Sequence, residues 1–198
     1  MFPALQGGPH NHQIAALAVA LKEADTPEFQ QYAKQIILNA RTLACGLLSR
    51  GHTIATGGTD NHLLLLDARP LGLTGSKLEK VLEMASITTN KNSLPGDVSA
   101  VNPGGVRLGT PALTSRGLKE ADFDVVAECL HRGSEIAVRA QNIALASQQD
   151  ICSSKILLKD FLAVLLNDES IRTSIAKLRE DVETFARRFP IPGDNRAG

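Results

Sequence analysis

The sequence predicts an α/β fold: a small, largely antiparallel sheet covered by helices and entered by one long helix. Three observations carry this. Apolar residues recur at spacings of three and four from Phe29 to Leu48. Short apolar runs then bracket a turn-rich GGTDN connection at 57–61. Helical periodicity returns from Leu118 onward. A period that shifts from 3.6 to 2 and back marks strands enclosed by helices. At 198 residues the chain holds one domain or one and a half.

Taken in order, Gln13–Ala24 (QIAALAVALKEA) is apolar on nearly every face and reads as a buried helix. The long helix begins at a Thr26 cap, with Pro27 at the first helical position and Glu28 complementing the positive helix end, and stops at Gly51. HTIAT (52–56) and HLLLLDA (62–68) read as antiparallel strands. In GLTGSKLEKVLEMA (72–85), Ser76 and Glu79 are spaced as a capping box. Further strands are expected at Ile87–Thr89 and Val106–Leu108, with a long polar loop, NKNSLPGDVSAVNPGG, between them. Leu118 to about Gln148 is helical, ASQQDICSSK is a connector, and helices follow at Ile156–Leu166 and Ser170–Phe189 before FPIPG.

Composition narrows the function. The 21 basic and 21 acidic residues cancel, and aromatic content is 4% without Trp, which argues against a nucleic-acid surface. Cys45, Cys129 and Cys152 are far apart and odd in number, so neither a zinc ribbon nor a disulfide framework is expected, and the compartment reads as reducing. With no apolar run of about 18 residues and no signal-peptide pattern, the chain reads as soluble.

The strongest local signal is NPGGVRLGTPALTSRG. It sets Arg107 on a short strand bracketed by Gly104-Gly105 and Gly109, with Arg116 nine residues on. A stiffly held guanidinium can grip a carboxylate or phosphate through two parallel hydrogen bonds. The alternative is a structural ion pair with an internal Asp or Glu. Gly7 and Gly8, before a helix, can present bare N–H groups to an anion or simply make a tight turn. His10 and His12 form an H-x-H pair, but entry into a helix should send the side chains about 200° apart, so no metal site is expected. Asp60-Asn61-His62 lacks a nucleophile elbow. Asn90, Lys91, Asn92 and Ser93 suit either recognition of a heterocycle edge or plain loop solubility. Arg187 and Arg188 read as a solvated helix end.

Together, FPALQGGPHNHQIAALAVALKEA, TGGTDNHLLLLD, NKNSLPGD, GVRLGTPALTSRG and FARRFPIPG resemble, in this order, the C-terminal part of eukaryotic-type serine hydroxymethyltransferase. The resemblance covers essentially the whole chain and is least specific over 148–170. It implies a fold-type I pyridoxal-phosphate transferase that interconverts serine and glycine with tetrahydrofolate as one-carbon acceptor. It also implies four regions: a large-domain tail (1–25), a linking helix (26–51), a small α/β domain (52–148) and a helical extension (149–198).

By the same resemblance, Arg107 matches the substrate-carboxylate arginine and Arg116 a supporting arginine. Gly7 and Gly8 match glycines near the cofactor phosphate, reached across a dimer interface. Asn92, with Lys91 and Ser93, matches the pterin end of the folate site. The family's T-T-T-T-H-K motif, with its Schiff-base lysine, has no counterpart here. No catalytic residue is therefore expected in these 198 residues, and they should be inactive alone. The family forms homodimers or homotetramers, and the expected compartment is cytoplasmic, although mitochondrial forms differ mainly in segments outside this chain. Two alternatives are an interaction module that associates with full-length subunits and an H-x-H metal hydrolase.

Overall fold

The computed structural model describes residues 1–99, 101–147 and 156–193. Cys152 and most of the expected connector lie outside the described residues. The chain divides into two units, Met1–Gln35 and Ile36–Gly198.

The first unit holds helix α1 (Asn11–Ala24) and the first turns of α2 (Pro27–Ser49). The Thr26 hydroxyl accepts from the Phe29 N–H at 3.3 Å, which satisfies one donor at the start of α2. The expectation that α1 is buried fails. None of its residues is buried, and Ile14, Leu17, Val19 and Leu21 are all more than half exposed. Apolar content identified the helix but not what covers it. The histidine geometry also differs from expectation. His10 precedes the helix instead of lying in it, and its ring stacks on His12 with centroids 5.7 Å apart and planes 15° from parallel.

In the second unit, strands β1 (Thr53–Ile54), β2 (Leu63–Asp67), β3 (Asn90–Asn92) and β4 (Gly105–Gly109) form one antiparallel sheet in the order β1-β2-β4-β3. The expected strand at Ile87–Thr89 lies instead at Asn90–Asn92, inside the stretch read as loop. Three polar residues carry no period-2 signal. Pairing of Lys91 with Val106 and a hydrogen bond from the Lys91 N–H to Glu79 Oε1 (2.9 Å) hold them extended.

The remaining helices are α3 (Gly75–Met84), α4 (Pro111–Ser115), α5 (Glu120–Ala146), α6 (Leu158–Asn167) and α7 (Glu169–Ala186). The cap of α3 is Thr74, whose side chain accepts from the Lys77 N–H, and not Ser76, which is buried inside the first turn. One face of the sheet (Leu64, Leu66, Val106, Leu108) joins Leu43 and Leu47 of α2, Leu78 and Leu82 of α3, Phe123 and Leu130 of α5, Phe161 of α6 and Leu178 of α7 in a single core. Burial of such side chains contributes about 1.5–3 kcal/mol each before entropy is counted. Lys77 is buried too. Its Nζ donates to Gln141 Oε1 and to the Ile156 carbonyl, both at 2.8 Å, and lies 5.5 Å from the centre of the Phe161 ring.

Helix α3 can approach the sheet this closely because residue 75 has no side chain. The Gly75 N–H donates to Pro103 O at 2.8 Å, and a Cβ there would run into the Gly105 carbonyl, which is backbone and cannot step aside. Gly75→Ala should therefore cost about 3 kcal/mol or more in urea unfolding. Gly58→Ala, where a Cβ would meet nothing within 4 Å, should leave the midpoint unchanged.

Candidate functional site

The other face of the sheet is open, and the register shows what it carries. Partners directly across an antiparallel ladder point the same way, as do residues two apart on a strand. Arg107 lies between Leu65 of β2 and Asn90 of β3, and Asn92 lies beside Gly105. The residues two before and two after Arg107 are Gly105 and Gly109, so on β4 the guanidinium has that face to itself. Arg107 is exposed and has no ion-pair partner among the described residues. The internal ion pair weighed from the sequence is absent among them. Asn90, Asn92 and Arg107 share this face, whereas Lys91 alternates to the opposite one.

Asn92 Nδ2 donates to the Ser93 carbonyl at 2.8 Å, and Lys91 Nζ reaches Val101 O at 3.4 Å. Ser93 is exposed where β3 leads into the loop. Arg116 is half-buried, and its guanidinium donates to three carbonyls at the end of α7: Ala186 (2.6 Å), Phe189 (2.8 Å) and Pro190 (3.3 Å). These satisfy carbonyls that a helix end leaves without partners. Arg187 is the C-cap of α7 and pairs with Glu183, while Arg188 stacks over Phe185 and Phe189.

Sequence reasoning missed the groups that hold this face in place. Asp67, Arg69 and Asp97 form a clamp. The Arg69 guanidinium donates to Asp67 (Nε–Oδ1 2.9 Å, Nη2–Oδ2 2.7 Å), to Pro95 O (3.0 Å) and to Asp97 Oδ1 (3.3 Å). Asp97 Oδ2 in turn accepts the N–H groups of Leu94 and Gly104, both at 2.8 Å. The loop from 93 to 104 is thereby closed at its base, beside Asn92 and just before β4. At the far end of β4, Thr110 Oγ1 donates to Ile36 O at 2.9 Å, and Asn39 Nδ2 donates to Thr114 Oγ1 at 2.8 Å and Leu118 O at 3.0 Å. The D-x-R spacing at 67–69 was the available signal for the clamp, but Asp97 lies 28 residues from Arg69. Only the fold joins them.

Gly7 and Gly8 lie in the first unit. They border a shallow concavity of about 240 Å³ that also includes Gln6, His10, Gln13 and Ile14. A Cβ at either glycine would meet nothing within 4 Å, so the backbone there is bare. Among the described residues no group of three or more His, Cys, Asp or Glu is placed to hold a metal ion. No described helix is long and apolar enough to cross a membrane.

A cation without an acidic partner among the described residues, on a strand cleared by glycines and beside two asparagines of β3, has the chemistry to hold a carboxylate or phosphate. The sequence comparisons are more particular. The family model for serine hydroxymethyltransferase matches residues 1–130, and the chain belongs to that family. It is 51% identical to the cytosolic serine hydroxymethyltransferase of Oryctolagus cuniculus over 98% of this chain and 38% of that protein. It is 50% identical to a serine hydroxymethyltransferase of Caenorhabditis briggsae (98% of this chain, 36% of that protein). Identity to chloroplastic serine hydroxymethyltransferase 3 of Arabidopsis thaliana is also 50% (98% and 35%). The chain thus spans well under half the length of these relatives and matches their C-terminal portion.

The clamp carboxyls titrate below their ordinary range. Hydrogen bonds from Arg69 hold Asp67 down, and the N–H groups of Gly104 and Leu94 hold Asp97 down. A carboxyl whose folded pKa is depressed adds stability that is full above its unfolded value, about 4, and lost as pH falls through the folded value. Melting temperature should therefore fall as pH drops from about 5 toward 2. In Asp97→Ala, melting should start lower at pH 7 and show a shallower acid slope. Hydrogen exchange at the Leu94 and Gly104 amides should speed up in the same variant.

Proposed function

We propose that this chain is the substrate-carboxylate and folate-facing portion of a serine hydroxymethyltransferase, an enzyme that passes the hydroxymethyl carbon of serine to tetrahydrofolate. The carrying observation is Arg107, set on β4, an inner strand paired on both sides, and free of any acidic partner among the described residues. Its guanidinium fork would take the amino-acid carboxylate through two parallel hydrogen bonds. That grip fixes the rotation of the amino acid and so selects the Cα bond that is made or broken.

Asn92, with Lys91 and Ser93 beside it, would take the pterin end of the folate through its amide donor and acceptor. Arg116 acts as a support. It ties the turn after β4 to the end of α7, which steadies the strand that carries Arg107. The bare backbone at Gly7 and Gly8, ahead of the N-terminus of α1, fits the phosphate of pyridoxal phosphate, because no side chain there obstructs an anion. When bound, that cofactor supplies the electron sink for carbanion chemistry, while the chain's own residues orient and hold the substrate. The regions 1–25, 26–51, 52–148 and 149–198 serve as large-domain tail, linking helix, small domain and extension. The working assembly is a homodimer or homotetramer, with the cytoplasm as its compartment.

A second reading is favoured by the exposed apolar residues of α1: the chain associates with full-length subunits of the family as an interaction module. Co-purification with an intact subunit, lost when Leu17 and Leu21 are both changed to Ser, would support it. Monomeric behaviour in the presence of intact subunits would remove it.

The purified 198 residues should turn over no serine by themselves, since none of their lysines lies in a T-T-T-T-H-K context. Joined to the preceding segment of a relative, they should cleave serine in the presence of tetrahydrofolate. In that protein Arg107→Ala should lower kcat/KM for serine by roughly 10²–10³, the cost of leaving the bound carboxylate without its hydrogen-bonded cation. Arg107→Lys should recover part of the loss, because the charge survives without the fork. Equal kcat/KM in wild type and Arg107→Ala would end the assignment.

A further inference from the structure

Where the chain leaves α2 and enters the sheet, two histidines 79 residues apart meet edge to face. His52 Nε2 lies 3.1 Å from His131 Nδ1, with ring centres 5.2 Å apart and planes at 84°. His52 directly precedes β1, and His131 lies on α5. The His52 ring is buried, and its Nδ1 has no hydrogen-bond partner among the described residues. His131 is half-buried and borders an open groove of about 620 Å³.

The orphan nitrogen fixes the tautomers. Of the two nitrogens in contact, one must donate and the other accept. Were His131 the donor, the His52 proton would sit on Nδ1, a buried N–H without an acceptor, which is costly. With the proton on Nε2, the bare Nδ1 is only an unused lone pair. His52 therefore donates from Nε2 to His131 Nδ1, and His131 carries its own proton on Nε2. Glu135 Oε1 is 3.8 Å from that second nitrogen, one turn along the same helix.

A further proton has no good place in this arrangement. On His52 Nδ1 it would be a buried donor with no acceptor. On His131 Nδ1 it would meet the His52 N–H head on, unless His52 moved its proton to that same buried Nδ1. The charged neighbours add to the cost. Arg50 at the end of α2, Arg132 and Arg139 on α5 and Lys177 on α7 border the groove with the pair. Asp124 and Glu128 engage Arg50, and Asp181 engages Arg132. Glu135 is the one carboxylate among the described residues that border the groove. Burial and then His131 hold His52 below the ordinary imidazole range, with Glu135 opposing them. Turned away from His52, a protonated His131 would have what it lacks in the contact: solvent in the groove and the Glu135 carboxylate.

We propose that the His52–His131 contact is an acid-sensitive latch that fastens the α2–β1 corner to α5, closed with neutral rings and opened by protonation. On opening, His131 turns to Glu135 and the groove. The Arg50 ion pairs still tie the end of α2, so the loosening falls on residues 52–55. A base whose folded pKa is depressed adds stability that is full above its unfolded value, about 6.5, and lost as pH falls toward the folded value. That window lies above the one set by the clamp carboxyls. The latch rests on no part of the serine hydroxymethyltransferase reading.

The test is NMR of the ¹⁵N-labelled chain between about pH 8 and about pH 5, the range in which histidine changes charge. At the upper end the imidazole signals should show His52 protonated at Nε2 and coupled across the hydrogen bond to His131 Nδ1. The coupling should vanish with the same midpoint as the titration of His131. Two backbone amides report the corner, His52 N–H to Leu47 O and Ala55 N–H to Leu65 O. Their protection, corrected for intrinsic exchange, should fall at least about tenfold across the range. His131→Gln, whose amide oxygen can accept from His52 without titrating, should remove most of that fall. His62→Gln, which removes an exposed histidine outside the pair, should leave it unchanged. The wild-type coupling and protection decide the matter even if His131→Gln does not fold. A coupling that persists after His131 is protonated, unchanged protection at both amides, or an equal fall in His131→Gln would overturn the proposal.

Discussion

The open sheet face depends on a carboxylate–guanidinium–carboxylate chain that closes the loop before β4. Asp67 ends β2, Asp97 lies in the loop and Arg69 bridges them, so one cation ties a strand end to a carboxylate 28 residues beyond Arg69 itself. An isolated surface ion pair is worth little, because solvent screens it and long side chains must be ordered. Here the geometry is different. Arg69 is held by both oxygens of Asp67, and Asp97 spends its second oxygen on two backbone N–H groups. The clamp therefore replaces the backbone pairing that an irregular loop lacks, and it sets the approach of β4 to its neighbours.

From that anchored base the two faces of the sheet diverge in role. The buried face uses Leu64, Leu66, Val106 and Leu108, packed by α3 and α5, and contributes shape and stability. The open face bears Arg107 between residues without side chains, a poor choice for packing and a good one for access. The clamp and the Thr110 and Asn39 hydrogen bonds hold the strand and the turn after it from outside the open face.

Much of this could be read from the amino-acid order. The apolar spacing of 29–48 and of 118–146 marks the long helices because periodicity at 3.6 reports a buried stripe directly. Arg107 and its glycines stood out because strand, charge and turn residues coincide within a few positions. What escaped was non-local or polar. Strand β3 is Asn-Lys-Asn, extended only because β4 and Glu79 pair with it. The His52–His131 pair spans 79 residues, and nothing in the local sequence around either histidine points to the other. Helix α1 was misjudged for the opposite reason: an apolar composition says that a surface seeks cover, not that the cover is present.

The guanidinium of Arg116 also constrains the order in which the fold can be completed. Its three carbonyl partners lie 70 to 74 residues later in the chain. At synthesis rates of about 5–20 residues per second, roughly 4–15 s pass between the appearance of Arg116 and that of its acceptors. During that interval the guanidinium has none of these three acceptors. Arg116 caps α4, so the segment that joins β4 to α5 gains this tie only once residues 186–190 have been made.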